Sequence, residues 1–220
     1  MNEAQAREEI CRVGKSLFDR GYVHATAGNI SVRLDDGFLI TPTDACLGFL
    51  DPAQLARVDL QGNQLGGARA SKTLALHAAI YRAAQPFASE MRCVIHTHST
   101  HCVALSLHAP GPELLAPITP YFVMKVGHVP LVPYRRPGAP EVAVEVARLI
   151  GEYGTARRPI RAVMLQRLGP NVWHDTPAAA MAVLEELEET ARLAVLDERG
   201  CAPLNETRID ELRRVFGAHW

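Results

Sequence analysis

The sequence predicts an α/β fold with a mixed, largely antiparallel sheet and helices on its faces. Two observations predict it. Stretches of helical periodicity alternate with short apolar runs along the chain. Some of those runs are joined by tight turns, as in hairpins, rather than by long crossovers.

Residues 4–19 place Ile10, Val13, Leu17 and Phe18 at i, i+3, i+7 and i+8, one face of a 3.6-residue helix, with Gly21 as its stop. "GNISVRLDDGFLITPT" (28–43) reads as two short strands around the turn "DDG", and "LARVDLQGNQL" (55–65) as a further strand and turn. Ser71 precedes a helix over 72–84 carrying Leu74, Leu76, His77, Ile80 and Tyr81. "RCVIHTH" (92–98) reads as a strand, with Ser99–Thr100 as a cap for a short helix. Residues 108–120, rich in Pro and Gly, read as loop. The prolines of "HVPLVPY" (128–134) put that strand at an edge. A turn over 135–139 leads to a helix from about Pro140 to 154. "RAVMLQ" (161–166) and "PNVWHD" (170–175) form a strand pair around Gly169. Thr176–Pro177 is an N-cap and N1 pair opening a long helix to about Asp197, with Gly200 as its C′ residue. A short polar helix from about Glu206 ends the chain.

At 220 residues the chain suits one domain with a sizeable core, drawn as residues 1–200 with a C-terminal extension at 201–220. A formal charge of −1 gives no basic field for nucleic acid or an anionic membrane. Neither a leader nor a bilayer-length apolar stretch is visible. Five scattered cysteines without CxxC spacing read as reduced thiols in a cytoplasmic protein, Cys102 as a buried structural one. Glu185, Glu186, Glu188 and Glu189 read as a solvated helix face, Arg135–Arg136 as surface loop and Trp173 as core. Trp220 is expected to dock on a neighbouring chain or to be disordered.

The chemistry concentrates in "CVIHTHSTH" (93–101). On a strand, residues i and i+2 share a face, so His96 and His98 can offer two imidazoles to one divalent ion. A catalytic site needs a third ligand, for which His101, His128, His174 or a distant carboxylate are candidates that spacing does not separate. Three small-residue clusters, "TAGNIS" (26–31), "TPTD" (41–44) and "ASKT" (70–73), sit at the edges of elements. Gly28–Asn29 permits close backbone approach, and Ser71–Lys72 at a helix start favours an anion. Together they can cradle a phosphate.

The order "GNIS", "TPT", "SK" before a helix with "LH", then "HTHSTH", "PYFVMKVG" and "GP-VW-DT" resembles the class II aldolase/adducin family. The segments "LGFLDPAQL", "LVPYRRPG" and "VLEELEETARLA" are most similar to its 3-oxo-tetronate 4-phosphate decarboxylase branch. The resemblance runs from about residue 5 to 197. It implies a three-layer α/β/α fold around a mostly antiparallel sheet and a homotetramer with active sites between subunits. It implies a divalent metal, zinc foremost, held by His96 and His98. It further implies phosphate contacts from Gly28, Asn29, Thr43, Ser71 and Lys72, with Tyr121 as a proton donor to a neighbouring site. The implied substrate is a small phosphorylated 3-oxo sugar acid, which loses CO2 to give a triose phosphate.

Two positions depart from the family pattern. Thr73 occupies the catalytic place of the acid/base glutamate in "(S/T)xE", and Leu168 replaces the third metal-binding histidine of "NHGP". The departures leave two readings: a metal enzyme with a rebuilt site, or a metal-depleted relative that binds a phosphorylated ligand without lyase activity. An aldolase acting on a sugar phosphate and an adducin-like scaffold are the other members of the comparison.

Overall fold

The computed structural model describes residues 1–108 and 111–220. The loop expected at 108–120 is therefore seen except at positions 109–110, which lie outside the described residues. The element order is α1 (Glu3–Asp19), β1 (Asn29–Leu34), β2 (Gly37–Ile40), β3 (Ala56–Asp59), β4 (Gln64–Gly66), α2 (Leu74–Ala84), β5 (Cys93–His96) and α3 (Thr100–Ser106). It continues through β6 (Leu131–Val132), α4 (Pro140–Thr155), β7 (Ala162–Leu165), β8 (Gly169–His174), α5 (Pro177–Leu196) and α6 (Glu206–Phe216).

The strands form one eight-stranded sheet in the order β4-β3-β2-β1-β5-β8-β7-β6. Among the described strands, only β6 and β7 run parallel. The proline-flanked β6 lies at the edge, as its sequence requires, because proline cannot donate to a ladder on both sides. Helices α1, α3 and α5 cover one face, packing on Ile30, Val32, Cys93, Ile95, Ala162, Met164 and Val172. Helices α2 and α4 cover the other, on Val94, Val163 and Trp173. The expected three-layer α/β/α arrangement with a mostly antiparallel sheet is what forms.

Several local expectations are corrected. α2 starts at Leu74, not at residue 72, so Lys72 and Thr73 lie in the turn before it. β5 stops at His96; Thr97 and His98 continue beyond its end. Ser99 holds the N-cap position of α3 without a side-chain cap bond; its hydroxyl pairs with Thr97 Oγ1 at 2.6 Å. The cap comes from Glu188 on α5, whose carboxylate accepts the His101 and Cys102 backbone N–H groups at 2.9 and 3.0 Å. Glu188 is thus buried rather than part of a solvated face. It is tolerated because three donors, the third being His101 Nδ1 at 2.8 Å, satisfy its oxygens. α5 is capped at its C-terminus by Asp197, three residues before Gly200. Residues Phe122–Val126 form a π-helical turn that the sequence pattern did not signal. Trp220 docks within its own chain, stacked on His128 with ring centroids 4.2 Å apart and edge-on to Phe122 at 5.7 Å. Trp173 and Cys102 are buried, as expected.

Candidate active site

Three central strands bring Asn29, His96 and Asn171 into one row: Asn29 pairs with His96 across β1 and β5, and His96 with Asn171 across β5 and β8. Directly paired residues project to the same face, here the face under α2 and α4. All three are buried. His96 Nδ1–H donates to the Pro170 carbonyl at 2.9 Å, which fixes the tautomer and leaves the Nε2 lone pair available. Burial, and secondarily the neighbouring His98, pushes its pKa down to about 4, so the ring is neutral and ligand-competent at pH 7.

Around it the polar atoms are under-used. Asn29 Oδ1, both amide atoms of Asn171, His77 Nε2 and Trp173 Nε1 are buried without a hydrogen-bond partner. His77 comes from α2, with its Nδ1 2.7 Å from Ser31 Oγ. Burial, with a smaller contribution from His96, lowers its pKa to about 3. Each orphaned group costs about 1–3 kcal/mol, and such a concentration in one place is a signature of a binding site rather than of a stability core.

His98 lies just beyond the strand, half-buried, with its ring centroid 5.0 Å from that of His96 in an edge-on arrangement. Two imidazoles on one tetrahedral ion have centroids about 5 Å apart, so the pair fits two positions of a metal shell. Gly169 explains why the next strand comes so close. At its φ of +141°, a Cβ would stand 1.9 Å from the Thr97 carbonyl oxygen and 3.1 Å from His98 Cα. That contact sets the Leu168–Gly169 turn against His98. Leu168 packs on the apolar cluster beneath α2 and α4 and contributes no donor.

The expected third ligands are committed elsewhere. His101 Nδ1 is held by Glu188, and His128 Nδ1 donates to both Glu113 oxygens at 2.9 Å beneath Trp220. His174 Nδ1 accepts the Asp175 N–H at 2.8 Å, and its side chain alternates to the sheet face opposite His96. Among the described residues, no three His, Cys, Asp or Glu side chains stand close enough, as placed, to hold an ion. A histidine that the sequence reading passed over lies beside His98. His24 is edge-on to His98 with a centroid separation of 6.4 Å. The signal available in the sequence was its place four residues before Gly28, at the mouth of the first small-residue cluster.

The three clusters do meet. Thr41 Oγ1 accepts the Ile30 N–H at 3.2 Å, and Thr41 N–H donates to the Ile30 carbonyl at 3.0 Å. Ser71 N–H then donates to Thr41 O at 3.2 Å and Thr43 N–H to Arg69 O at 2.9 Å. These bonds bring the segments carrying Thr43 and Ser71–Lys72 alongside the start of β1, where Gly28–Asn29 stand. Gly28, at φ +87°, fits because a Cβ there would lie 2.9 Å from the His96 carbonyl oxygen. Thr73 shares a 2.9 Å hydroxyl contact with Ser71 and so belongs to the Ser71 turn. Lys72 is exposed. Tyr121, 59% exposed at the start of the π-helical turn, is not packed into this cluster within one chain.

A separate groove of 540 Å³ runs along α1 between Cys11 and Leu50. It lacks histidine, and burial raises the pKa of its one thiol, Cys11, so chemistry points to the histidine row instead.

With a three-layer fold and a histidine pair beside the segments that carry Gly28–Asn29, Thr43 and Ser71–Lys72, the chain belongs to the Class II Aldolase and Adducin N-terminal domain family, which matches residues 8–195. It is 51% identical over 225 aligned residues to the 3-oxo-tetronate 4-phosphate decarboxylase of Cupriavidus necator, covering 99% of each chain. Its fold matches that of YgbL from Escherichia coli with a TM-score of 0.86 at 40% identity, covering 96% of this chain and 99% of the other. It also matches the L-fuculose-1-phosphate aldolase of Thermus thermophilus with a TM-score of 0.74 at 28% identity, covering 90% and 99%.

Proposed function

We propose that this chain is a lyase that removes CO2 from a phosphorylated 3-oxo sugar acid of the 3-oxo-tetronate 4-phosphate type, giving a triose phosphate. The observation that carries the proposal is the convergence of three phosphate-type segments, tied together through Ile30, Thr41 and Ser71, on the strand end that bears His96. The full-length similarity to a 3-oxo-tetronate 4-phosphate decarboxylase supports the same reading.

In this reading Gly28, Asn29, Thr43, Ser71 and Lys72 bind the phosphate through N–H and hydroxyl donors and one ammonium. The keto oxygen of the substrate then lies toward the histidines. Breaking the bond to the carboxylate carbon releases CO2 and leaves the bond electrons delocalised onto that oxygen. A proton added to the carbon that lost CO2 completes the triose phosphate. Tyr121 of a neighbouring copy in a homotetramer is the donor. Its exposure in the single chain suits a residue that acts across a subunit boundary. His96 and His98 would hold a divalent ion, zinc foremost, which when bound supplies the electron sink for the developing oxyanion.

Thr73 favours decarboxylation over aldol cleavage. An aldolase needs a base to move a hydroxyl proton, and a threonine hydroxyl bonded to Ser71 is not one near neutral pH. Loss of CO2 needs no such base. All five cysteines are free thiols, which supports a reducing, cytoplasmic setting.

The test is to offer 3-oxo-tetronate 4-phosphate and, separately, L-fuculose 1-phosphate to protein supplied with zinc or manganese. CO2 and triose phosphate are expected from the first. The His96→Ala variant is expected to lower kcat/KM by about 1,000-fold or more, equivalent to about 4 kcal/mol. Phosphate-ester binding with no CO2 under any divalent ion would establish the ligand-binding reading in its place.

A further inference from the structure

We infer that His77 selects a hydroxyl group of the substrate. Its Nε2 lone pair accepts the hydrogen of a hydroxyl beside the keto carbon, so the site prefers a 2-hydroxy-3-oxo acid over the deoxy counterpart. The inference rests on the lyase reading for the identity of the ligand, and its test includes a binding measurement that needs no reaction.

The polarity of His77 follows from a chain of buried hydrogen bonds. Tyr81 Oη stands 3.0 Å from the Ser31 carbonyl oxygen and 3.1 Å from that of Arg92. Carbonyls only accept, so the one phenolic hydrogen is spent on them. Ser31 Oγ lies 2.9 Å from Tyr81 Oη and therefore donates to it. With its hydrogen used, Ser31 Oγ accepts from His77 Nδ1 at 2.7 Å. This is the one assignment in which every contact of the chain is a hydrogen bond. It puts the imidazole hydrogen on Nδ1 and leaves Nε2 a bare acceptor. All three side chains are buried, and among the described residues no donor meets Nε2. The unpaired donors Asn171 Nδ2 and Trp173 Nε1 stand on β8, two strands away from β1, whose Ser31 holds the ring. Asn29 Oδ1, on the same face of β1 as Ser31, is a second unpaired acceptor.

The place of His77 suits a substrate contact. Its backbone N–H donates to the Thr73 carbonyl at 3.1 Å, and the Thr73 hydroxyl lies 2.9 Å from that of Ser71. His77 is thus one helical turn from the segment that would take the phosphate. His96 is the one charge-bearing neighbour that acts on its ring, adding to the effect of burial. The ring therefore joins the phosphate segment to the histidine that would face the keto oxygen, the stretch that the carbon chain of the substrate must cross. A buried acceptor without a donor costs free energy until a ligand supplies one. A hydroxyl satisfies it. A methylene at the same place leaves it unpaired, which is how a site built around a hydrogen bond rejects an analogue that lacks the group.

The experiment measures a preference. Values of kcat/KM are compared for 3-oxo-tetronate 4-phosphate and its 2-deoxy counterpart. Calorimetric Kd values are compared for 4-phosphoerythronate and its 2-deoxy counterpart, which have no keto group and cannot lose CO2. The proteins are the wild type, His77→Leu, His77→Gln and Ser31→Ala. The wild type is expected to favour the hydroxylated member of each pair by about 10-fold or more. His77→Leu is expected to bring the ratio to within about twofold of one, chiefly by weakening the hydroxylated ligand. His77→Gln, whose amide oxygen accepts, is expected to keep part of the preference. Ser31→Ala removes the bond that fixes the tautomer, and its ratio is expected to fall below that of the wild type. Each ratio is taken within one protein, so a general loss of stability does not move it. Circular dichroism checks folding, and Ser31→Ala carries the test if His77→Leu does not fold. A wild-type ratio near one, a ratio equal in all folded variants, or no binding of either erythronate would overturn the inference. A binding preference that His77→Leu or Ser31→Ala loses, with no CO2 released by the wild type, would overturn the lyase reading and leave the role of His77 standing.

Discussion

The two faces of the central sheet are built from the same strands but for different ends. Toward α1, α3 and α5 the strands present Ile30, Val32, Cys93, Ile95, Ala162, Met164 and Val172, every one buried and apolar. Toward α2 and α4 the same strands present Val94, Val163 and Trp173 together with the polar Asn29, Ser31, His96 and Asn171, interleaved one residue out of step. Five of the six orphaned polar atoms among the described residues lie on this second side. One face is packed for stability. The other accepts an energetic penalty in the region that would meet substrate, which is where natural proteins depart from consistency. Because side-chain direction alternates with period two, a single strand such as β5 can serve both ends, with Ile95 turned to the core and His96 to the site.

The sharpest way to break this comparison is a matched pair of substitutions. Ile95→Ala removes a fully buried side chain from the packed face and is expected to cost about 2–5 kcal/mol of unfolding free energy. Asn171→Leu exchanges two unpaired buried polar atoms for a similar apolar volume. It is expected to change stability by no more than about 1 kcal/mol while reducing decarboxylation, because the desolvation penalty goes with the amide. Urea unfolding of both variants decides it. If Asn171→Leu costs as much as Ile95→Ala, the polar row is structural and the contrast between faces fails.

A smaller effect comes from pH. His77 is fully buried on the site side with a pKa of about 3, against 6.5 in an unfolded chain. The unfolded state therefore binds more protons between those values, so stability is full above pH 6.5 and falls as pH drops toward 3. For metal-free protein, the His77 contribution amounts to a loss of about 2 kcal/mol between about pH 7 and pH 5. His77→Gln should remove that part of the slope in urea titrations at the two pH values. A slope unchanged by the substitution would mean that the His77 ring does not stay neutral under α2.

Much of this organisation was legible in the sequence. The apolar run in "RCVIHTH" and the turn flanked by "GNISVRL" placed strands there, with β5 ending at His96 rather than at residue 98, because apolar runs and turn residues are local signals. The DDG hairpin, the Thr176–Pro177 cap and the edge position of β6 followed from turn and proline chemistry in the same way. What failed was what depends on partners distant in sequence. Glu188 looked solvated beside three other acids, and only the docking of α3 on α5 shows it capping His101 and Cys102. The third-ligand candidates were chosen for nearness in sequence or for residue type. The fold instead engages all three histidines in other hydrogen bonds, His101 with Glu188, His128 with Glu113 and His174 with the Asp175 N–H. Thr43 and Ser71 were grouped because they shared a character, and the Thr41 bonds to Ile30 and Ser71 supply the physical reason they meet.

The sixth orphan tests whether an unpaired buried atom always marks the site. His128 Nε2 is buried without a partner, yet it lies with the C-terminal end of the chain, under the Trp220 ring. There the other ring nitrogen is fully used: His128 Nδ1 and Tyr153 both donate to Glu113. Burial opposes ionisation of Glu113, but those two hydrogen bonds outweigh it and its pKa is lowered. The Glu113 carboxylate is a satisfied acceptor beside an imidazole with an aromatic lid, and the comparison between faces assigns the cluster to stability. Trp220→Ala should therefore cost about 0.5–1.5 kcal/mol from the lost ring contacts with His128 and Phe122, read from the urea midpoint. Decarboxylation should be unchanged, since no residue of the Asn29–His96–Asn171 row is touched. A Trp220→Ala protein with normal stability but weakened decarboxylation would show that orphaned imidazoles report on the site wherever they lie, and the division between the two faces would lose its meaning.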